Sequence, residues 1–213
     1  QGPFAVPAYT SVEVLPDRRV AFRLCAPLAK EVRLTSPDLY NIVAQGFPGG
    51  SEAGLAMTRD DTGLWSVVTP KPVPADTYRY DFRVDGVSVP DPQVSTYVHD
   101  RAGVHSVMEV PGAEGAFQAY DPKIAHGAVS EIDYWSSSLG AMRRAFVYTP
   151  PGYMNGSAKY PVLYLVHVAG DREEAWSRTG LANLILDNLI AAGKARPLIV
   201  VMPNGHTAAL PGG

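Results

Sequence analysis

The first half of the chain alternates apolar and polar residues at the period of a β-strand. Runs of this kind, which predict strands with one buried face, occur at residues 19–24, 30–35, 64–69, 77–84 and 104–110. Asp85-Gly86 follows the fourth run, and this dipeptide favours a two-residue hairpin turn. Short strands at such spacing predict a small β-sandwich over residues 1–110.

The second half of the chain has a different period. Two continuous apolar runs, residues 161–167 and 197–202, are of the kind that is buried on both faces in a parallel sheet. Between them, residues 181–192 carry apolar side chains at helical spacing. Together with a strand over residues 143–149, this order of elements predicts the beginning of a parallel α/β sheet.

A change in composition separates the two halves. Residues 111–127 are rich in Gly, Ala and Pro and show no clear period, which predicts a linker. The remaining residues, 128–213, then form the second domain. A chain of 213 residues is long enough for two small domains.

Composition argues against several classes of function. The formal net charge is −3, and nucleic-acid binding usually requires a basic patch or a strongly basic domain. No apolar run approaches the roughly 20 residues of a membrane helix. Cys25 is the only cysteine, which excludes an internal disulfide framework. The histidines lack metal-ligand spacing, so we expect no metal site. Taken together, these features of the sequence predict no cofactor, no nucleic-acid partner and no membrane partner.

The best-placed candidate site follows the apolar run 161–167. That run ends in the loop His167-Val168-Ala169-Gly170-Asp171. In open α/β sheets, function collects in the crevice at the carboxyl ends of the strands. A backbone amide placed there stabilises negative charge as it develops on a carbonyl oxygen.

Four motifs in the second half resemble one known family. They are Tyr148-Thr149-Pro150-Pro151-Gly152-Tyr153, Tyr160-Pro161-Val162-Leu163-Tyr164-Leu165-Val166-His167, Trp176 and Pro203-Asn204-Gly205. Over residues 143–205 they resemble the esterase D-like hydrolases of carbohydrate esterase family 1, which include feruloyl and acetylxylan esterases. The resemblance implies the N-terminal part of an α/β-hydrolase fold, with a serine nucleophile in a Gly-x-Ser-x-Gly elbow.

The resemblance also implies roles for residues of the loop. The backbone amides of Val168 or Ala169 would contribute to the oxyanion hole, and His167 would orient the loop. The family usually has glycine at the position of Val168. Because a β-branched residue resists the positive φ that glycine accepts, we expect the loop to differ in shape.

The resemblance makes three further side chains candidates for lining the substrate cleft, namely Asp171, Trp176 and Asn204. The motif Gly-x-Ser-x-Gly does not occur in the 213 residues. None of the triad is therefore expected in this chain, which alone is expected to be inactive. The nucleophile would lie beyond residue 213.

Three stretches in the first half resemble a second family. They read RRVAFRLCAPLAKEVRL, MTRDDTGLWSVV and DTYRYDFRVDGVSVPDP, and over residues 18–92 they resemble carbohydrate-binding modules of family 48. The resemblance implies an early-set immunoglobulin-like β-sandwich. Trp65, Tyr78 and Tyr80 are candidates for stacking on sugar rings, but large aromatic side chains are equally suited to a sandwich core.

Two functions are consistent with this pattern. The two resemblances, in this order, match the layout of some secreted bacterial feruloyl esterases. They imply a serine ester hydrolase acting on feruloyl or acetyl groups of xylan, in a secreted or periplasmic protein. The alternative is a non-catalytic carbohydrate-binding or scaffolding protein with a decayed or truncated hydrolase domain. The short second domain also predicts a further chain, or a second copy, that completes it.

Overall fold

The computed structural model describes residues 7–44, 53–101 and 103–207, and its chain divides into two compact units. Unit 1 comprises Gln1–Val98 and Val104–Ala113, and unit 2 comprises His99–Gly103 and Glu114–Gly213. Strands predominate in the described residues. The longest described helix has ten residues, so no helix in these ranges is long enough to cross a membrane.

One sheet of unit 1 has four antiparallel strands. In spatial order they are β1 (Val12–Val14), β2 (Val20–Cys25), β6 (Leu64–Val68) and β5 (Thr58–Arg59). The alternation predicted from the sequence is present in β2, where Val20, Phe22 and Leu24 are buried. The register pairs Leu24 with Trp65 of β6.

The second sheet has six strands. Its order is β4 (Leu55–Ala56), β3 (Val32–Thr35), β7 (Asp76–Val84), β10 (Val104–Val110) and β9 (Tyr97–His99), and β8 (Val87–Val89) also pairs with β7. Asp85 and Gly86 join β7 to β8 with φ angles of 48° and 89°. Positive φ at both positions is what a two-residue hairpin turn needs, so the turn predicted from the sequence is confirmed.

Both sheets of unit 1 contribute to one hydrophobic core. Its members include Val20, Phe22, Leu24 and Trp65 from the first sheet and Val32, Leu34, Tyr80, Phe82, Met108 and Val110 from the second. Each fully buried side chain of this size stabilises the fold by about 1.5–3 kcal/mol. Two antiparallel sheets with a shared core are what the sequence predicts, whereas the immunoglobulin-like assignment stays a prediction.

Two of the three candidate sugar-stacking residues lie in this core. Tyr80 is fully buried, its ring lies 5.1 Å from the ring of Phe22, and its hydroxyl donates to Asp91 Oδ2 at 2.6 Å. Trp65 is buried, and its indole Nε1 donates to the carbonyl of Ala26. Their rings have no open face for a sugar, because Trp65 of the first sheet and Tyr80 of the second sheet are both buried in the core that the two sheets share. Only Tyr78 keeps part of its surface exposed.

Unit 2 contains one mixed sheet and two helices. The strand order is β11 (Ala128–Ser136), β12 (Ala141–Thr149), β14 (Ile199–Pro203) and β13 (Val162–Tyr164), and the helices are α1 (Ala175–Arg178) and α2 (Ala182–Ala191). β13 and β14 are parallel, whereas the other pairs are antiparallel. The predicted strand–helix–strand unit is therefore confirmed. Phe146, Tyr148, Val200 and Met202 form the buried cluster of this unit.

The prediction that β13 is buried on both faces is wrong. Val162, Leu163 and Tyr164 are 49%, 45% and 70% exposed. β13 lies at the end of the sheet and pairs only with β14 among the described strands. Its apolar composition is that of a central strand, but its position is that of an edge strand.

An apolar edge strand with unpaired backbone groups favours association between chains. We expect the 213-residue chain to self-associate with rising concentration, and Tyr164→Lys to weaken that association by placing a charge on β13. Sedimentation velocity measures both. Val87→Lys, at a position of similar exposure in β8, is the matched control. A wild-type chain that stays monomeric at all accessible concentrations would contradict this expectation.

Residues 114–127, most of the stretch predicted as a linker, belong to unit 2 and contact α2; we call them the strap. Asn188 Nδ2 donates to the carbonyls of Phe117 and Ala119 at 2.9 and 3.0 Å. The neighbouring Asp187 accepts from His126 Nδ1 and from the Gly127 amide, both at 3.0 Å. Two consecutive helix residues therefore hold both ends of the strap.

Both ring nitrogens of His126 face acceptors. Nδ1 faces the Asp187 carboxylate, and Nε2 lies 2.8 Å from the carbonyl of Asp121. Only the imidazolium carries a proton on each nitrogen, so this geometry selects the charged form. The bond to the Asp121 carbonyl and the Asp187 carboxylate both raise the pKa of His126.

The docking of the strap is therefore predicted to depend on pH. Since the pKa of His126 is higher in the folded chain, its contribution is complete below the ordinary histidine value of 6.5 and is lost as the pH rises through the folded value. An NMR titration should place His126 above the free-histidine midpoint, and Asp187→Asn should lower it. A wild-type midpoint at or below 6.5 would contradict the assignment of His126 as a cation.

Candidate active site

The parallel pairing of β13 and β14 brings two loops to one edge of the sheet. Tyr164 pairs with Val201, and the Leu165 amide continues the ladder by donating to the Val201 carbonyl at 2.9 Å. The β13 loop (residues 165–174) and the β14 loop (residues 204–207) follow directly. This is the edge at which ligands bind in open α/β sheets.

His167 joins the two loops. Its Nε2 accepts a hydrogen bond from the Gly205 amide at 2.9 Å, so its proton must be on Nδ1. That Nδ1 lies 2.9 Å from the Val168 carbonyl, to which it donates. The two bonds fix the neutral tautomer and the orientation of the ring. They are the contacts that a loop-orienting histidine needs, and that role stays a prediction.

Gly205 lies where the β14 loop closely approaches the β13 loop. A Cβ atom at this position would lie 2.8 Å from Val166 Cγ1 and 3.6 Å from His167 Nε2. The first distance is shorter than van der Waals contact, so a side chain would push the loops apart. The close packing of the two loops therefore favours glycine in the Pro203-Asn204-Gly205 motif.

Asn204 anchors the β14 loop through its amide group. Its Nδ2 donates to Glu173 Oε2 at 2.7 Å, and its Oδ1 accepts from the His206 amide at 2.9 Å. Glu173 is 5% exposed, and a buried carboxylate needs such a donor. The Asn204 side chain thus holds the loop rather than projecting freely into solvent.

Sequence reasoning missed three residues of this site. Glu173 holds Asn204, Arg143 Nη2 donates to the carbonyls of Asn204 and His206, and His206 Nε2 donates to the Asp171 carbonyl at 2.8 Å. Arg143 and the β14 loop are about 60 residues apart along the chain. No local pattern signals these partners, because the Arg143 contacts depend on the pairing of β12 with β14 and the other two on the pairing of β13 with β14.

Trp176 contributes to the packing of the β13 loop. Its indole Nε1 donates to the Val166 carbonyl at 3.0 Å, and its ring packs against the buried cluster of unit 2. Gly180 lies against the same ring, because a Cβ there would be 2.8 Å from Trp176 Cε3. Trp176 therefore supports the loop from within the unit, which leaves less of its surface for a cleft than the sequence suggested.

The residues predicted to form the oxyanion hole carry uncommitted amides. The Val168 and Ala169 amides donate to no acceptor of the described residues, and both residues are exposed. The Val168 carbonyl accepts from the Asp171 amide at 3.2 Å, which turns the chain back toward α1. Two adjacent donors therefore remain available at the carboxyl end of β13.

The β13 loop places its positive φ at Gly170 rather than at Val168. Gly170 has a φ of 102°, whereas Val168 is absent from the described residues with positive φ. Glycine accepts this conformation at little cost. A β-branched residue at position 168 is therefore unstrained, and the steric reason for expecting an altered loop does not apply to this conformation.

A second segment of unit 2 supports the β13 loop. The Arg101 amide donates to the Gly170 carbonyl at 2.8 Å, and Arg172 Nε donates to the Asp100 carbonyl at 3.1 Å. The Asp100–Asp171 bridge joins the same two stretches. Asp100 and Arg101 thus hold the loop at Gly170, Asp171 and Arg172.

His99 completes this support. Its backbone amide and its ring Nδ1 both lie within 2.7 Å of Glu174 Oε1, and Glu174 is buried. The described residues contain no group of three or more His, Cys, Asp or Glu side chains able to hold a metal ion. What the site offers is backbone amides on a loop held at several points.

Comparison with known proteins points to ester hydrolases. Residues 136–210 match the Esterase family model, a segment that contains β12 to β14 and both loops. An endo-1,4-beta-xylanase/feruloyl esterase of Xylanibacter ruminicola is 37% identical over 179 residues, which are 82% of this chain and 24% of that protein. The chain therefore spans about a quarter of the length of this curated relative.

Solved structures add a similarity of fold. The enterochelin esterase of Shigella flexneri matches 91% of this chain and 54% of its own chain, with a TM-score of 0.55 and 16% identity. A ferulic acid esterase of Anaeromyces mucronatus matches 43% of this chain and 34% of its own, with a TM-score of 0.39 and 22% identity, and this short overlap supports no argument. The sequence comparisons thus relate the chain to ester hydrolases, and the structure of the enterochelin esterase adds a similarity of fold.

Proposed function

We propose that unit 2 provides the oxyanion loop of a serine carboxylic ester hydrolase that acts on feruloyl or acetyl groups of plant xylan. The observation that carries this proposal is the pair of uncommitted amides at Val168 and Ala169, at the carboxyl end of a parallel strand. The relative of 37% identity, named as a xylanase/feruloyl esterase, supports the substrate class.

In this proposal the reaction needs no cofactor. A serine hydroxyl attacks the ester carbonyl, and the oxyanion that forms accepts hydrogen bonds from the β13 loop and from the residue after the serine. The alcohol group of the polysaccharide leaves, and water then releases the acid from the acyl-enzyme. The serine, the acid and the histidine of the triad lie beyond residue 213. Because the substrate is a polymer outside the cell, the protein works in the secreted or periplasmic compartment.

The first test compares the 213-residue chain with the protein purified from its source. Intact mass of the protein purified from its source shows whether the polypeptide continues past residue 213. We expect that longer protein to hydrolyse methyl ferulate or acetylated xylan, and the 213-residue chain to hydrolyse neither. A longer protein without ester turnover would overturn the proposal, as would turnover by the 213-residue chain.

The same assay tests the role of the loop. In the longer protein, Val168→Pro removes one amide donor and should lower kcat about 100- to 1000-fold, the usual effect of losing an oxyanion donor. Val168→Ala keeps the amide and is the matched control. Circular dichroism of both variants checks that the fold is retained. Equal kcat values for the two variants would show that the Val168 amide does not take part in catalysis.

A cleft in unit 1 favours carbohydrate binding as a second function. It has a volume of about 250 Å³, and its lining includes Tyr40, Asn41, Lys71 and Tyr78. Tyr40 is 68% exposed, and the hydroxyl of Tyr78 donates to the Pro74 carbonyl at 3.1 Å. Aromatic rings beside amide and ammonium donors suit a sugar ring, and Tyr40 is a residue that the sequence analysis missed.

Titration with xylo-oligosaccharides, followed by NMR, tests this second function. Tyr40→Ala and Tyr78→Ala should each weaken binding about tenfold, the effect of losing one aromatic contact. Tyr120→Ala, at an equally exposed tyrosine of unit 2, should leave binding unchanged. Absence of binding by the wild-type chain, or equal loss in all three variants, would argue against the cleft.

A further inference from the structure

The chain contains two Asn-Gly pairs, Asn155-Gly156 and Asn204-Gly205. This dipeptide is the one most prone to spontaneous loss of ammonia, because glycine has no Cβ to obstruct the reaction at its amide. From the sequence alone, the two pairs are expected to react equally fast. Their surroundings in the structure differ in every group that the reaction uses.

The reaction requires three parts of the dipeptide to move freely. The backbone nitrogen of the glycine bonds to Cγ of the asparagine, the amide nitrogen leaves as ammonia, and a five-membered imide forms. Water then opens the imide at either carbonyl, which gives aspartate or isoaspartate. The glycine nitrogen, the asparagine side chain and the backbone between them must all be free to move.

All three are restrained at Asn204-Gly205, where Arg143 Nη2 holds the backbone carbonyl of Asn204 at 2.8 Å. The Gly205 amide donates to His167 Nε2 at 2.9 Å, so the attacking nitrogen is bound to another group. The Asn204 side chain is held by Glu173 through its Nδ2 and by the His206 amide through its Oδ1. Closing the imide ring would require at least these bonds to break together.

None of these restraints exists at Asn155-Gly156. Asn155 is exposed at the end of the short 3₁₀ turn Tyr153–Asn155. Neither its side chain nor the Gly156 amide has a hydrogen-bond partner among the described residues. The nearest atom to a Cβ built on Gly156 is the Ala158 nitrogen, at 3.9 Å, so the backbone has room to rearrange.

We propose that Asn155 is a site of spontaneous deamidation, and that the bonds joining the β13 and β14 loops protect Asn204 from the same reaction. The two bonds from Asn204 and the bond from Gly205 thus keep an unstable dipeptide intact at the candidate active site. A carboxylate at position 204 could not donate to Glu173 and would place a second negative charge beside it. Deamidation at position 155 changes only an exposed loop between β12 and β13.

The test is a time course of the 213-residue chain at mildly alkaline pH. Tryptic peptides are separated by mass spectrometry, and an enzymatic assay detects isoaspartate. We expect Asn155 to react at least about tenfold faster than Asn204, since the hydrogen bonds that hold Asn204-Gly205 must break first. A rate at Asn204 equal to or above that at Asn155 would overturn the proposal.

Two further measurements assign the protection to the fold. In chemically denatured chain, the two rates should become similar. In His167→Ala, which releases the Gly205 amide, the rate at Asn204 should rise toward the denatured value while the rate at Asn155 stays constant. His126→Ala, at a histidine that holds the strap and contacts neither loop, is the matched control. An unchanged Asn204 rate in folded His167→Ala, or a persistent rate difference in denaturant, would contradict the protection.

Discussion

The parallel pairing of β13 with β14 is the constraint on which the candidate site depends. Parallel strands end at the same edge, so the two loops that follow them must meet. The bond from the Gly205 amide to His167 Nε2 then fixes their spacing and, with it, the tautomer of the histidine. The uncommitted amides of Val168 and Ala169 are held in place by the bonds of the Val168 carbonyl and by contacts of the neighbouring residues.

Buried carboxylates carry much of this organisation. Glu173, Glu174 and Asp187 are each at most 7% exposed, and each accepts hydrogen bonds from a segment distant in sequence. Leaving such a group without its donor is costly, so each carboxylate selects one partner segment. Glu173 binds the β14 loop, Glu174 binds His99, and Asp187 binds the end of the strap. The apolar cluster of unit 2 has few fully buried members, which gives these polar contacts a larger share in defining the fold.

Local periodicity predicted the strands and helices well, but it predicted their burial and their contacts poorly. The helix predicted over residues 181–192 is observed as Ala182–Ala191, because helical spacing and a following glycine are local signals. The burial of Tyr80 and the exposure of β13 are set by which sheet or edge each strand occupies. Glu173, Arg143 and His206 were missed for the same reason, since their partners come from strand pairing across tens of residues. Sequence reasoning found the loop of the candidate site together with His167, Trp176 and Asn204, but it did not find the more distant partners that hold the loop.

Val168 shows how a residue type can mislead when the backbone is unknown. Valine in place of the usual glycine suggested an altered loop, and that inference assumed a positive φ at position 168. The structure places the positive φ at Gly170, two residues later. Because valine is unstrained at a negative φ, the substitution is compatible with a loop that presents both amides. The steric argument for a loop of different shape therefore loses its premise, and the residue type at position 168 no longer favours the non-catalytic alternative.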